Sequence, residues 1–227
     1  MKLHNILFAN HGASVYAVLV AASGVVLLFS MPWASRLSEL IMQPWHPFPL
    51  PFFLTHIVVS AIMALSSGAS AVPVDSETQR TPIISPVVAR VVFGQFLALP
   101  LVAYSRVLFP NSATPLIAAA AYILLLSVLM ALAGILLELH ASRRAKSSVA
   151  PRYGFLIAYM AIPLIGLASN SPVAQAIALV SPVQTVRRLL AGSPTTSEWI
   201  IAFLVPTVTI IAFALLILRR RQRRLHA

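Results

Sequence analysis

The chain has 227 residues, of which 59% are apolar and only 9% charged, with a mean hydropathy of +0.90 and a net charge of +11. Ordinary soluble domains run at about 45–50% apolar and about 25% charged, so this chain buries its surface in lipid instead of in one aqueous core. Its positive charges cluster beside apolar runs, as at the cytoplasmic ends of membrane spans, which argues against a nucleic-acid partner, and the lack of cysteine excludes disulfides, thiolate catalysis and cysteine-ligated metals.

The first twelve residues are weakly basic, with Leu3, Ile6 and Leu7 suited to a membrane surface. Residues 13–31 form the first expected span, close to the roughly 20 residues that cross a hydrocarbon core. A signal peptide is the competing reading. The apolar part exceeds the usual length of about 7–15 residues, however, and Pro32-Trp33 stands where small cleavage-site residues belong. Trp33, Trp45 and four prolines mark the following segment, where 34–42 reads as a short helix in the headgroup layer. The second span, 51–70, ends in SSGAS, small residues that suit close helix approach.

A polar stretch then interrupts the apolar first half. Asp75, Glu77 and Arg80 lie within six residues, bounded by Pro73, Pro82 and Pro86. Ser76 with Gln79 three residues on has capping-box spacing, hydroxyl and amide satisfying free backbone groups at a helix start. The segment reads either as an ordinary inter-span loop or as a short solvated helix that a soluble partner can grip. The third span follows at 87–108, with Arg90 and Arg106 near its ends, where long side chains reach the headgroups. Pro100 removes one backbone hydrogen bond and kinks it. After a turn at Pro110-Asn111, the fourth span runs over 114–137 and leads to Arg143, Arg144, Lys146 and Arg152.

The fifth span is 153–168, broken by Pro163. The apolar run 173–180 that follows is flanked by Asn170-Ser171-Pro172 and Ser181-Pro182 and is too short to cross. The segment 170–192 therefore reads as a re-entrant or interfacial hairpin. The last span, 199–218, precedes a basic cytoplasmic tail, 219–227. The expected fold is thus all-α: a single polytopic membrane domain over 1–227, with six transmembrane helices and both termini on the same side. On that topology 12 of the 16 lysines and arginines lie inside and 4 outside (Arg36, Arg106, Arg187, Arg188), as the positive-inside rule requires. A seventh crossing through 173–180 would put the five arginines between Arg219 and Arg224 outside.

No catalytic, cofactor-binding or metal-binding constellation stands out. The phosphate-loop pattern is absent, as are the zinc-protease patterns, and Glu138 with His140 reads as a satisfied helix end. His56, the sole histidine well inside a span, reads as packed or bonded to backbone. The serines of Ser23-Gly24 and Ser67-Gly68 lack a catalytic setting and read as packing residues. No Asp, Glu, Lys or Arg remains at mid-span, which argues against a proton- or sodium-driven carrier. Gln95, Asn170 and Gln175 are the polar span residues with most to offer a substrate path.

This layout resembles the membrane subunit of an ABC transporter of the type-2, exporter class. Glu77, Thr81-Pro82, Ser85-Pro86, Arg90 and Gly94 are similar to that family's acidic residue, Thr-Pro and Ser element, charged residue and glycine leading into the third span. Ser181-Pro182, Arg187, Leu189, Leu190 and Gly192 resemble its stretch before the last span. The resemblance implies a cytoplasmic coupling helix at 75–80 between spans 2 and 3. It also implies a re-entrant hairpin between spans 5 and 6, a homodimer or heterodimer with a second permease, and a separate ATPase subunit contacting Asp75, Glu77, Arg80 and Arg90. The chain would then be a multi-pass cell-membrane protein that is not itself an enzyme. The alternatives are a non-transporting scaffold, assembly or immunity-type membrane protein, and, third, an intramembrane enzyme.

Overall fold

The computed structural model describes residues 50–72, 82–108, 113–141, 149–165, 181–191 and 195–225, and every element among them is a helix. These are α1 (Leu50–Ser70), α2 (Ile84–Leu108), α3 (Ala113–Ala141), α4 (Val149–Ile165), α5 (Pro182–Leu190) and α6 (Thr196–Leu225). Four of them are long and apolar enough to cross a membrane, over Phe53–Ser70, Ile84–Ala103, Ala113–Ala141 and Thr196–Gln222. The expected first span at 13–31, the interfacial helix at 34–42, and Asp75, Glu77, Arg80, Asn170 and Gln175 lie outside the described residues.

Helix α3 is the axis of the bundle and packs against α1, α2, α5 and α6. Its sequence explains that position. Pro115 sits in the first turn, where no backbone donor is lost, and the Ala- and Leu-rich run that follows favours helix without a polar face. Ala118, Ala119, Ile123, Leu126, Met130 and Ile135 are buried all round it. Helices α2 and α6 are peripheral and present Phe93, Phe96 and Leu99, and Leu204, Val208 and Ile211, outward. In a bilayer such faces meet acyl chains, and only the backbone has to satisfy itself internally.

Among the described helices, the closest pair is α1 with α3. A Cβ on Gly68 would collide with the Ala131 carbonyl, and one on Gly134 with the Leu65 carbonyl. The two helices therefore touch backbone to backbone, the small-residue crossing that membrane helices use where no hydrophobic effect separates helix from solvent. The SSGAS end of α1 is one half of this contact, as its composition leads one to expect. The other half, Gly134, sits in an Ala-Leu run.

Several element ends differ from expectation. Helix α2 begins at Ile84, three residues before the expected span, because Pro86 falls in the first turn, whose N–H groups have no intrahelical acceptor anyway. The same reason lets α4 start at Val149 with Pro151 inside its first turn. Helix α4 also continues through Pro163 to Ile165 instead of breaking there. Helix α3 runs four residues beyond 137, where Glu138 pairs with Arg152. The basic tail is likewise a continuation of α6 as far as Leu225, since arginine, glutamine and leucine are good helix formers and cations suit a helix C-terminus.

Helix α5 is too short to cross. Ser181 precedes it in an extended conformation (φ −62°, ψ 124°) and Pro182 is its first residue, a favoured start. Pro182, Thr185, Val186, Leu189 and Leu190 form its buried face, against α1 and α3. Thr185 hydrogen-bonds to Tyr122, which lies nine residues, or about 13 Å of helix, from the start of α3.

Candidate functional site: a polar hub inside the bundle

Among the described residues, the one concentration of buried polar side chains joins three helices. Helix α1 carries His56 and Ser60 four residues apart and hence on one face; they are 2% and 1% exposed. Gln95 stands near the middle of α2, and Ser127, 1% exposed, at the midpoint of α3. The Gln95 amide nitrogen lies 3.0 Å from the Ser60 hydroxyl and 3.0 Å from the Ser127 hydroxyl, and its amide oxygen lies 3.0 Å from His56 Nε2.

The directions of these bonds follow from counting protons. Ser127 donates its hydroxyl proton to the Ile123 carbonyl at 2.7 Å, so towards Gln95 it can only accept. The amide nitrogen of Gln95 must then face Ser127, which turns the amide oxygen to His56. His56 therefore carries a proton on Nε2 and donates it. Both amide protons of Gln95 are engaged, one by each serine, and the side chain is a tie between helices in this conformation. Interhelical hydrogen bonds in membranes contribute about 0.6 kcal/mol on average and up to about 1.7 kcal/mol.

The hub is thus legible in part. Gln95, expected on a substrate path, is engaged at its centre. His56 does more than pack, because it shares a side-chain bond with Gln95. Ser60 and Ser127 carry no motif; the only sequence signal is the i, i+4 spacing of His56 and Ser60. Arg90 lies in the second turn of α2, half-buried, five residues or about 7.5 Å of helix before Gln95.

Two ion pairs bracket the bundle. Arg152 Nη2 meets Glu138 Oε2 at 2.9 Å, fixing the start of α4 to the end of α3. Arg188 Nη1 meets Glu198 Oε1 at 2.8 Å, fixing α5 to the first turn of α6. Glu198 also closes a capping box: its Oε2 accepts from the Thr195 amide at 2.8 Å, and its own amide donates to Thr195 Oγ1 at 3.4 Å. The signal was present in the sequence as Thr195-Thr196-Ser197-Glu198 ahead of an apolar run. Further along α6, Thr207 and Thr209 turn their hydroxyls back on the Phe203 and Val205 carbonyls, so neither is left unbonded in lipid.

Among the described residues no group of three His, Cys, Asp or Glu side chains is arranged to hold a metal ion. No family profile matches the chain, and no curated protein or solved structure is significantly similar to it.

Proposed function

We propose that this chain is the membrane-spanning permease subunit of an ATP-driven transporter of the type-2 exporter class. It would have six spans, a coupling helix at 75–80 and a re-entrant hairpin before the last span. It would pair with a second permease and dock a cytoplasmic ATPase. The observation that carries this reading is the seat of α5. Helix α4 starts at the C-terminal end of α3, joined by Arg152 and Glu138, whereas α5 lies beside Tyr122 in the N-terminal half of α3 and hands directly to α6 through Arg188 and Glu198. With α4 as a span, the proposed chain between α4 and α6 would make no net crossing. That supports a hairpin at 170–192 and leaves α4, 17 residues and about 25 Å long, as a span.

In this reading the permease performs no chemistry. It supplies two arrangements of its helices with different affinity for cargo, and nucleotide-driven closure of the ATPase selects between them. The segment 73–81 joins α1 to α2 directly, so a push on Asp75, Glu77 and Arg80 reaches both helices. The Gln95 ties hold α2 against α1 and α3 in one of those arrangements. Co-expression with a phosphate-loop ATPase, followed by affinity purification of the chain, tests the reading. Glu77→Lys with Arg80→Glu should reduce ATPase recovery while membrane insertion is retained. Unchanged recovery from correctly inserted protein would favour a non-transporting scaffold.

A further inference from the structure

Helices α1 and α3 form a pair without play. At their crossing Gly68 meets the Ala131 carbonyl and Gly134 the Leu65 carbonyl, so backbone abuts backbone from both sides. Helix α2 is seated differently. Among the described helices it packs chiefly on α3, and its buried residues Val87, Val91, Ala98 and Val102 fall within about 60° of its circumference, at about 100° per residue. On its other side Phe93, Phe96, Leu97 and Leu99 are exposed. In lipid an apolar face that shifts exchanges one apolar contact for another, so this face sets no register of its own. Helix α6 is also peripheral, but its first turn is tied to α5 through Glu198 and Arg188.

Register comes instead from the polar hub. Gln95 reaches Ser60 on α1 and Ser127 on α3, each at 3.0 Å. Four residues to either side of it on α2 stand Val91 and Leu99. A shift of α2 by one turn, about 5.4 Å, would therefore put an apolar side chain opposite both serines. The serines tolerate that state, because a hydroxyl can fall back on a carbonyl of its own helix, as Ser127 already does on Ile123. We propose that α2 is the moving rod of the bundle, sliding against a fixed α1–α3 pair, and that the Gln95 amide is the catch that holds it in the register seen here. Sliding of packed helices and one-turn ratchets are modes by which bundles switch between discrete states. The catch gives the transport reading its moving part and rests on that reading for the purpose of the movement, but the sliding itself is measurable without an ATPase.

Spin labels on cysteines introduced in pairs into the full-length chain, which has none of its own, test this by double electron–electron resonance in detergent. Val58 on α1, Leu99 on α2 and Ile117 on α3 are exposed and accept a label. In wild type one distance should dominate each pair. Ser60→Ala/Ser127→Ala keeps the packing but removes both acceptors of the Gln95 amide. It should raise a second distance in the pairs Leu99–Val58 and Leu99–Ile117 by about five- to tenfold, since an interhelical hydrogen bond in a membrane biases such an equilibrium by about threefold on average. Gln95→Leu should raise it further. The Val58–Ile117 distribution should be the same in every variant. Unchanged Leu99 distances in the serine double variant, or a Val58–Ile117 distribution that broadens along with them, overturns the proposal. Failure to recover an ATPase would leave these distances as they are, whereas a fixed α2 would sink the catch and leave ATPase docking to its own test.

Discussion

Gly68 and Gly134 lie at one crossing point, each where a side chain would enter the backbone of the other's helix. The neighbours are carbonyl groups of Ala131 and Leu65, which cannot move aside as a flexible side chain can. Gly68→Val and Gly134→Val should therefore force α1 from α3 and lower the thermal midpoint of the detergent-purified chain, by the equivalent of at least about 1–3 kcal/mol of overpacking. Gly154→Ala is the control. Nothing lies within 4 Å of a Cβ there, and the gain in helix propensity should leave stability equal or raise it by up to about 1 kcal/mol. A Gly68→Val protein as stable as wild type would refute the crossing.

Replacing Gln95 by leucine removes all three of its side-chain ties at once. Ser127 keeps its bond to the Ile123 carbonyl, while His56 Nε2 and Ser60 lose the amide as partner. The expected loss is about 1–3 kcal/mol. Ser127→Ala should cost less than about 1 kcal/mol. A cycle of Gln95→Leu with Ser60→Ala should give a coupling near the membrane average of about 0.6 kcal/mol. Zero coupling in chemical or thermal unfolding would mean that the amide does not reach Ser60.

How much of this was legible follows from what periodic composition encodes. Apolar runs fixed the existence of α1, α2, α3 and α6 to within a few residues, because span length is set by bilayer thickness. Their ends were less legible. Prolines at 86 and 151 look like breakers in sequence yet are harmless in a first turn, and Arg219–Arg221 read as a tail although the residue types favour helix. Gln95 stood out as a polar residue in apolar surroundings. Its partners did not, since spacing shows which face of a helix a residue occupies but not which helix lies opposite. The pairing of Gly68 with Gly134 was hidden for the same reason.

Ser181 should behave unlike other residues that precede a helix. Its hydroxyl is wholly buried and makes no hydrogen bond among the described residues, and the helix start it precedes has no side-chain cap. A capping serine changed to alanine usually costs about 1 kcal/mol. Here Ser181→Ala removes a buried unsatisfied group and should be neutral or stabilising by up to about 1 kcal/mol. Thr195→Ala, by contrast, breaks a reciprocal cap and should cost about 0.5–2 kcal/mol. Thermal midpoints of the two single variants, measured side by side, decide between them. The reverse ranking would show Ser181 to be the working cap.

The absence of cysteine makes the proposed topology directly measurable. Single cysteines at Thr78, Ser197 and Gln222 can be labelled in intact cells or oriented vesicles with a maleimide that does not cross membranes. Ser197 lies in the first turn of α6 and is exposed, and Gln222 lies beyond the apolar stretch of the same helix and is exposed. These two should therefore label from opposite sides, whatever the chain does elsewhere. Thr78 should label from the same side as Gln222. Between residues 78 and 222 the proposed chain crosses at α2, α3, α4 and α6, an even number, with no crossing at 170–192. If that hairpin spans instead, the parity changes, and Thr78 labels with Ser197. The transport reading then fails with it, because the segment at 75–80 and the arginine-rich end of α6 could not both face the cytoplasm. Labelling of Thr78 and Gln222 from one side and Ser197 from the other leaves α4 as the crossing between α3 and α6, with α5 held on the far side by Arg188 and Glu198.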